Sequence, residues 1–397
     1  MDSLSSTEIQ FIQNHLADDV RQLLLRAHPK NLDVRKLVAQ IAARQKVRDK
    51  LPTWYANDTL LFPTSLSVEQ ASSEQTARYK ASLVAGKLLF DLTGGMGVDT
   101  WAFSQRVDHV IYTEQQPELA ELATHNLPLL GATNVAVYTG NGLDILANYP
   151  NTADWVYLDP HRRNEQGGKV VRLEECEPDV TQAGTLSVLQ QKAQRILVKA
   201  SPLLDIDSTV RQLTTVQTVH IVAVQGEVKE VLLAMEKQAL QADEVLIKAV
   251  NLTATEPEFF QFLRREERMA TVSLSDPQRY LYEPNAAVLK AGAFRLIATR
   301  FGLSKLAPNS HLYTSNRLVT GFPGRTFTVE HICKPDRKSL QLLLPARKAN
   351  LTVRNFPQSV ADLRKKLALQ EGGDVYILAT TLQNGDKRLI ITQKTIH

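Results

Sequence analysis

The stretch Phe90-Asp91-Leu92-Thr93-Gly94-Gly95-Met96-Gly97-Val98-Asp99 carries the densest chemistry in the chain. It links an apolar run that reads as a strand to a helix-forming segment, where glycines let the backbone turn tightly and approach a ligand closely. Gly95 and Gly97 supply two glycines of the dinucleotide pattern G-x-G-x-x-G, but position 100 is Thr. Asp91 also stands where an anionic pyrophosphate would lie, which is unfavourable, whereas a ligand with an ammonium and a sulfonium centre is attracted there. That charge logic points to S-adenosylmethionine, with Asp91, Thr93, Gly94, Gly95 and Gly97 forming its loop. Glu114, 23 residues after Asp91, ends the next strand, where a carboxylate accepts hydrogen bonds from both ribose hydroxyls. Asn141, in Gly140-Asn141-Gly142 after the third strand, is placed to bond an adenine edge. Asp99 reads equally as a helix-dipole partner and as a ligand contact.

A second constellation, Tyr157-Leu158-Asp159-Pro160-His161-Arg162-Arg163, follows the fourth apolar run. An acid and a proline just past a strand's carboxyl end sit where open α/β sheets bind substrates. Methylating an exocyclic amine requires an acceptor for an N–H and a fixed backbone carbonyl, so that the nitrogen lone pair points at the methyl group. Asp159 and Pro160 are the candidates, acting by positioning. His161, Arg162 and Arg163 are candidates for holding a phosphate or guiding a flipped base. Lys199 and Ser201 end the fifth strand on the same rim and read equally as lining or as turn residues. No His or Cys spacing fits a metal site.

The elements that must position these residues change period along the chain. Ser5-Ser6-Thr7-Glu8 has capping-box spacing, and Ile9, Ile12, Leu16, Val20 and Leu23 follow at helical intervals. A second helical pattern with Leu37 and Ile41 follows a turn at Pro29 to Asn31 and is expected to end at Pro52. Ser67 to Gln70 and Ser72 to Gln75 repeat the box, and Gly86 closes the run that follows. From Leu88 the text becomes short apolar runs alternating with helical stretches: Leu88 to Leu92, His109 to Thr113, Val135 to Tyr138, Trp155 to Leu158 and Ile196 to Lys199. That alternation predicts a parallel, doubly wound sheet. Val219 to Val224 and Val228 to Ala234 flank Gln225-Gly226-Glu227 as a hairpin. A helical piece is expected around Phe259 to Arg268.

Composition sets the outer limits. The chain has 397 residues, 43% hydrophobic and 22% charged, with 18 Gly and 17 Pro; these values exclude disordered and collagen-like classes and, at about 150 residues per domain, imply two or three domains. The start MDSLSSTEIQ is polar, no apolar run is long enough to span a bilayer, and two cysteines make no disulfide framework, so a cytoplasmic location is expected. The net charge of +4 hides an asymmetry: residues 301 to 397 hold 15 Lys and Arg against 6 Asp and Glu. A basic terminal module beside a mildly acidic body fits a polyanion-binding appendage.

Through Asp91-x-x-Gly94-Gly95-x-Gly97, Glu114 and Asp159-Pro160 the chain resembles the class I S-adenosylmethionine-dependent methyltransferases. It is more closely similar to a bacterial family in which that domain is followed by a ferredoxin-like segment and a C-terminal THUMP-like domain. Beyond the loop motif, the residues that carry this likeness are Tyr157-Leu158-Asp159-Pro160-x-Arg162-Arg163, Arg354-Asn355-Phe356-Pro357 and Glu371-Gly372-Gly373-Asp374. The resemblance implies a seven-stranded Rossmann-like methyltransferase sheet, an N-terminal helical region over 1–85, a methyltransferase domain over 86–252, a linker and ferredoxin-like segment over 253–321, and a basic α+β THUMP-like domain over 322–397. It also implies an RNA substrate, rRNA or tRNA. Two departures stand out. Amino-methylating relatives carry Pro-Pro and an aromatic after the acid, whereas Pro160 is followed by His161; and THUMP domains commonly precede the catalytic domain. The alternatives are an RNA-binding module that holds cofactor without chemistry, and a methyltransferase of protein or a small molecule.

Overall fold

The structure, a computed structural model, describes residues 3–25, 32–162 and 172–395. It divides into two compact units, Met1–Gln217 with Val231–Leu240, and Thr218–Glu230 with Gln241–His397. The expected turn at Pro29 to Asn31 lies outside the described residues.

The first unit opens with helices. In α1 (Ser6–Asn14) the predicted capping box is complete: Ser5 Oγ accepts from the Glu8 amide at 3.3 Å and the Glu8 carboxylate accepts from the Ser5 amide at 2.8 Å. After α2 (Val20–Leu25), α3 (Val34–Val47) buries Leu37, Val38 and Ile41 together with Ile12 and Leu23. Pro52 does not merely stop a helix; it starts α4 (Pro52–Tyr55), because the first turn needs no N–H from it. Helices α5 (Ser65–Gln70) and α6 (Glu74–Ser82) follow. Ser73, not Ser72, caps α6, and Ser67 lies inside α5.

The predicted strand alternation then appears in order: β1 (Gly86–Asp91), α7 (Val98–Ser104), β2 (Val107–Glu114), α8 (Pro117–Leu129), β3 (Val135–Thr139), α9 (Gly142–Asn148), β4 (Ala153–Leu158), α10 (Ala183–Lys192) and β5 (Ala193–Ala200). The strands lie in the order β5-β4-β1-β2-β3, all parallel. Leu89, Phe90, Val110, Ile111, Val156, Leu158, Leu197 and Val198 are buried in near-continuous runs, as strands covered on both faces must be. β6 (Val216–Val224) turns into β7 (Glu227–Glu236) through Gln225 at φ +50° and Gly226 at φ +83°, the left-handed pair that a two-residue hairpin turn needs. β7 runs antiparallel along β5. This is the doubly wound methyltransferase architecture expected, with β7 running antiparallel in it, but the sheet counts nine strands among the described residues where seven were expected. Helix α8 contributes Leu119 and Leu122 to the core of the N-terminal helices, which seats the lead-in directly on the sheet's own crossover.

In the second unit β6 pairs in parallel with β8 (Leu246–Leu252), and β8 pairs antiparallel with β9 (Glu258–Leu263). The segment expected to be helical from Phe259 is thus a strand to Leu263, with helix only over Arg264–Met269. Phe260 and Phe262 are buried while Phe259 is exposed, a period of two that a short apolar run disguises. A separate sheet holds β10 (Tyr280–Pro284), β11 (Gly324–Cys333), β12 (Asn350–Arg354), β13 (Val375–Thr381) and β14 (Lys387–Lys394) in the order β10-β11-β14-β13-β12. Helices Arg337–Leu343 and Val360–Leu367 cover one face of it, packing Leu340, Leu363 and Leu367 on Ile377, Ala379, Leu389 and Ile391. The alternate residues Leu378 and Ile390 face the other way, against Leu281, Leu306 and Leu312.

A buried ionic cluster joins α6 to α7. Lys80, with no exposed surface, lies 3.3 Å from Asp99 Oδ1 and donates to Ser72 Oγ at 3.0 Å; Asp99 Oδ2 accepts from Ser72 Oγ at 2.9 Å and from the Tyr157 hydroxyl at 2.8 Å. Removing one partner of such a pair leaves an uncompensated buried charge, at a cost of about 3–5 kcal/mol. Lys80→Met is therefore expected to lower the unfolding free energy by about that amount, and adding Asp99→Asn is expected to restore part of it. Chemical denaturation of the two variants beside the wild type measures both.

Candidate active site

The loop after β1 is built by contacts that only particular residues allow. Asp91 is the last residue of β1 and is buried; its Oδ1 accepts from the Thr93 amide at 3.1 Å and its Oδ2 from the Thr100 hydroxyl at 2.5 Å. Thr100 is the residue that breaks the dinucleotide pattern, and here it is what holds the acid. Gly94 lies against the ring of Tyr112, where an added Cβ would fall 2.1 Å from a ring carbon. Gly95 (φ +52°) and Gly97 (φ +87°) take left-handed conformations, and Gly97 leads into α7. The Tyr112 hydroxyl donates to the Gly95 carbonyl at 2.7 Å, pinning the loop from β2.

Glu114, at the end of β2, reaches the same loop. Its Oε2 accepts from the Gly95 amide at 2.9 Å and its Oε1 from the Gln116 amide at 2.9 Å. Each oxygen keeps a further lone pair, so the carboxylate is fixed in direction and able to accept more. Asn141 is the N-cap of α9, its Oδ1 accepting from Leu143 at 2.9 Å and Asp144 at 3.3 Å. Its oxygen is thereby committed to the helix, and only the amide nitrogen is left for a ligand. Gly142, which sequence reasoning passed over, sits so close to the end of β1 that a Cβ would meet the Leu92 carbonyl at 2.6 Å.

At the end of β4 the backbone amide of Asp159 donates to Thr93 Oγ1 at 2.7 Å, tying the reaction end of the sheet to the glycine loop. The Asp159 carboxylate forms an ion pair with Lys199 of β5 at 2.5 Å. Lys199 thus belongs with Asp159, and the structure brings Asp91, Thr93, Gly94, Gly95, Glu114, Asp159 and Lys199 into one connected set. Pro160 follows directly, half-buried. His161 and Arg162 form a short ribbon, His161 opposite Glu177 and Arg162 opposite Cys176, and the His161 side chain is exposed. Arg163 lies outside the described residues. Ser201 accepts from the Leu203 amide at 3.2 Å in its own turn and is not drawn into the set. The residues missed from sequence, Ser72, Lys80, Thr100, Thr113 and Tyr112, serve as supports: Thr113, for example, donates to the Asp91 carbonyl at 3.0 Å. Thr100 alone carried a signal, as the one departure from a glycine pattern.

Electrostatics sorts the carboxylates. Burial pushes Asp91 up to about 7; the hydrogen bonds from Thr100 and Thr93 oppose that rise, and the neighbouring charges of Asp99 and Asp159 add to it. Burial also opposes ionisation of Asp99, but Lys80, Lys199 and the Tyr157 and Ser72 hydroxyls together hold it below the usual carboxylate value. Burial raises the Tyr112 phenol, which stays a neutral donor. Asp91 has no salt bridge among the described residues, so a buried acid beneath a ligand-approach loop stands ready for a cationic group. S-adenosylmethionine fits that demand, and a pyrophosphate does not.

The same burial has a consequence for stability. Because Asp91 titrates higher in the fold than in the unfolded chain, its protonated form is favoured at low pH, and that advantage is lost as pH rises through about 7. Asp91→Asn is therefore expected to be close to neutral at pH 4 and to stabilise the cofactor-free protein at pH 8 by roughly 2–4 kcal/mol. Urea unfolding across that range tests the sign.

Residues 280–323 match a ferredoxin-like domain family and residues 324–394 a THUMP domain-like family. A crystal structure assigned as a methyltransferase from Porphyromonas gingivalis W83 superposes with a TM-score of 0.88 at 34% identity, covering 98% of each chain. Uncharacterised S-adenosylmethionine-dependent methyltransferases of Mycobacterium tuberculosis strains CDC 1551 / Oshkosh and ATCC 25618 / H37Rv are 23% identical over 325 residues, 81% of this chain and 85% of theirs. With likeness to the crystallised relative over nearly its whole length, the chain belongs to the S-adenosylmethionine-dependent methyltransferases in which ferredoxin-like and THUMP-like segments follow the methyltransferase sheet.

Proposed function

We propose that this methyltransferase modifies a base in structured RNA, with Asp159 positioning the acceptor nitrogen. The observation that carries the reading is the placement of Asp159: its amide is bound to the cofactor loop through Thr93 and its carboxylate is fixed by Lys199. Bound S-adenosylmethionine supplies an electrophilic methyl group. The chain's own residues hold and orient: Asp91 faces the cationic part of the cofactor, Gly94, Gly95 and Gly97 let the backbone approach, and Glu114 accepts from the ribose hydroxyls. Asp159, held in place by the ion pair with Lys199, accepts an N–H of the base so that the nitrogen lone pair is aimed at the methyl carbon; the Asp159 and Pro160 carbonyls fix the base plane. The reaction needs little more than this alignment, so no metal is invoked. His161 stands where amino-methylating relatives place their second proline and Arg162 where they place the stacking aromatic, so base stacking is not assigned to this segment. The basic C-terminal region and the THUMP domain-like match support RNA as the substrate.

Purified protein is expected to transfer radiolabelled methyl from S-adenosylmethionine into one RNA species of a strain lacking the gene, and Asp159→Ala is expected to reduce turnover about 10²–10³-fold. Undiminished turnover by the variant overturns the role of Asp159; label in protein or metabolites alone, or cofactor binding with no transfer at all, overturns the RNA reading. A second expectation follows from the titration of Asp91 near neutrality. Its ionised form attracts the cation, so affinity for S-adenosylmethionine is expected to rise roughly tenfold from pH 6 to pH 7.5 in the wild type and to stay flat in Asp91→Asn, as read by calorimetry.

A further inference from the structure

We infer that the RNA backbone docks on the helical layer of the C-terminal sheet, formed by helices Arg337–Leu343 and Val360–Leu367 and the segment between the first of them and β12. The inference rests on the RNA reading above and assigns it a surface.

The basic residues of this region fall into two groups. Arg325 and Arg354 both form ion pairs with the buried carboxylate of Glu283, Arg354 at 3.0 Å, and Arg388 pairs with Asp386 at 2.6 Å. These arginines are held by acids, two of them sharing one carboxylate. The second group forms no salt bridge among the described residues: Lys334, Arg337 and Lys338 at the start of the first helix, Lys348 beyond it, and Lys365 and Lys366 on the second helix, all exposed. Helical geometry puts them outward. Leu363 and Leu367 point into the core, so Lys365 lies on the far side of its helix and Lys366 on its flank; Leu340 points inward, so Lys338 faces away. The two helices cover the same face of the sheet, so these cations share one surface.

Three of the four acids of residues 334–374 are bonded to neighbours, and the fourth, Asp374, is exposed. Asp336 accepts from the Ser339 amide and hydroxyl, each at 2.8 Å, Asp362 accepts from the Ser359 hydroxyl at 2.6 Å, and Glu371 pairs with Arg364 at 2.7 Å. Residues 334–374 hold nine Lys and Arg against four Asp and Glu. The Glu371-Gly372-Gly373-Asp374 turn supports the layer: Gly372 and Gly373 adopt φ +101° and +81°, a Cβ added at either would meet the Lys348 side chain at 3.4 and 3.7 Å, and the Gly373 carbonyl accepts from Asn350 at 2.7 Å. A stretch in which Lys and Arg outnumber Asp and Glu by nine to four, with six of the cations exposed and outside any salt bridge among the described residues, fits a polyphosphate strand, which such cations bind by displacing condensed counterions.

The test uses the full-length protein and a fluorescein-labelled RNA stem-loop, with binding read by anisotropy over a salt series. Lys338→Glu, Lys365→Glu and Lys366→Glu are combined in one variant; Lys87→Glu, Arg211→Glu and Lys237→Glu are combined in a control of equal charge change. The face variant is expected to bind at least about 30-fold more weakly at physiological salt, with the salt slope lower by roughly 2–3, while its calorimetric affinity for S-adenosylmethionine stays at the wild-type value. The control is expected to lose only a few-fold. A face variant no weaker than the control overturns the docking surface and leaves the RNA reading standing; wild-type protein that does not bind RNA overturns both. Photocrosslinking of the same RNA to wild-type protein needs no variant: crosslinked peptides from residues 334–348 and 359–371 support the surface, and crosslinks confined to other segments overturn it.

Discussion

Three carboxylates, those of Asp91, Asp99 and Asp159, are gathered at the carboxyl ends of β1 and β4, and the fold around the site is arranged to let them coexist. Like charges in a low-dielectric interior repel strongly, and each acid is relieved in a different way. Asp99 is paired with Lys80 and bonded by Ser72 and Tyr157. Asp159 is paired with Lys199. Asp91 receives only neutral donors and drifts toward protonation. The acid with no cation of its own is the one beneath the glycine loop. On the proposed reading, the cationic centres of the cofactor supply the charge that Asp91 lacks among its described protein neighbours.

The same arrangement gives the N-terminal helices a role that composition alone could not assign. Lys80 comes from α6, which precedes the sheet, and its partner Asp99 lies in the first turn of the helix that the glycine loop opens. Tyr157, which bonds the same carboxylate, lies two residues before Asp159. The lead-in is thus a structural partner of both the glycine loop and the strand that ends at Asp159.

Much of this was legible beforehand because period and punctuation are local. Parallel strands buried on both faces announce themselves as apolar runs, and the capping box at Ser5 and Glu8 is a four-residue pattern. What was not legible depended on the third dimension. Ser72 and Ser73 are indistinguishable as caps in the sequence; the fold uses Ser73 on α6 and spends Ser72 on the buried ion pair. Asn141 offered an adenine contact, but a helix start nearby claims the oxygen first. The run from Phe259 was too short for its period to separate strand from helix. Thr100 is the sharpest case. As a failed glycine it counted against a dinucleotide, and in the fold its hydroxyl reaches back nine residues to hold the buried carboxylate of Asp91.

Net charge shows the same dependence on pairing. The excess of Lys and Arg after residue 300 reads in sequence as one basic module, yet Arg325 and Arg354 share a single buried carboxylate, Glu283, which cancels one of their two charges and fixes both side chains in place. An interaction surface is set by the charges the fold leaves uncancelled: Glu371 cancels Arg364, the caps at Asp336 and Asp362 fix those carboxylates without neutralising them, and the surplus of Lys and Arg over residues 334–374 is what the helical layer presents outward.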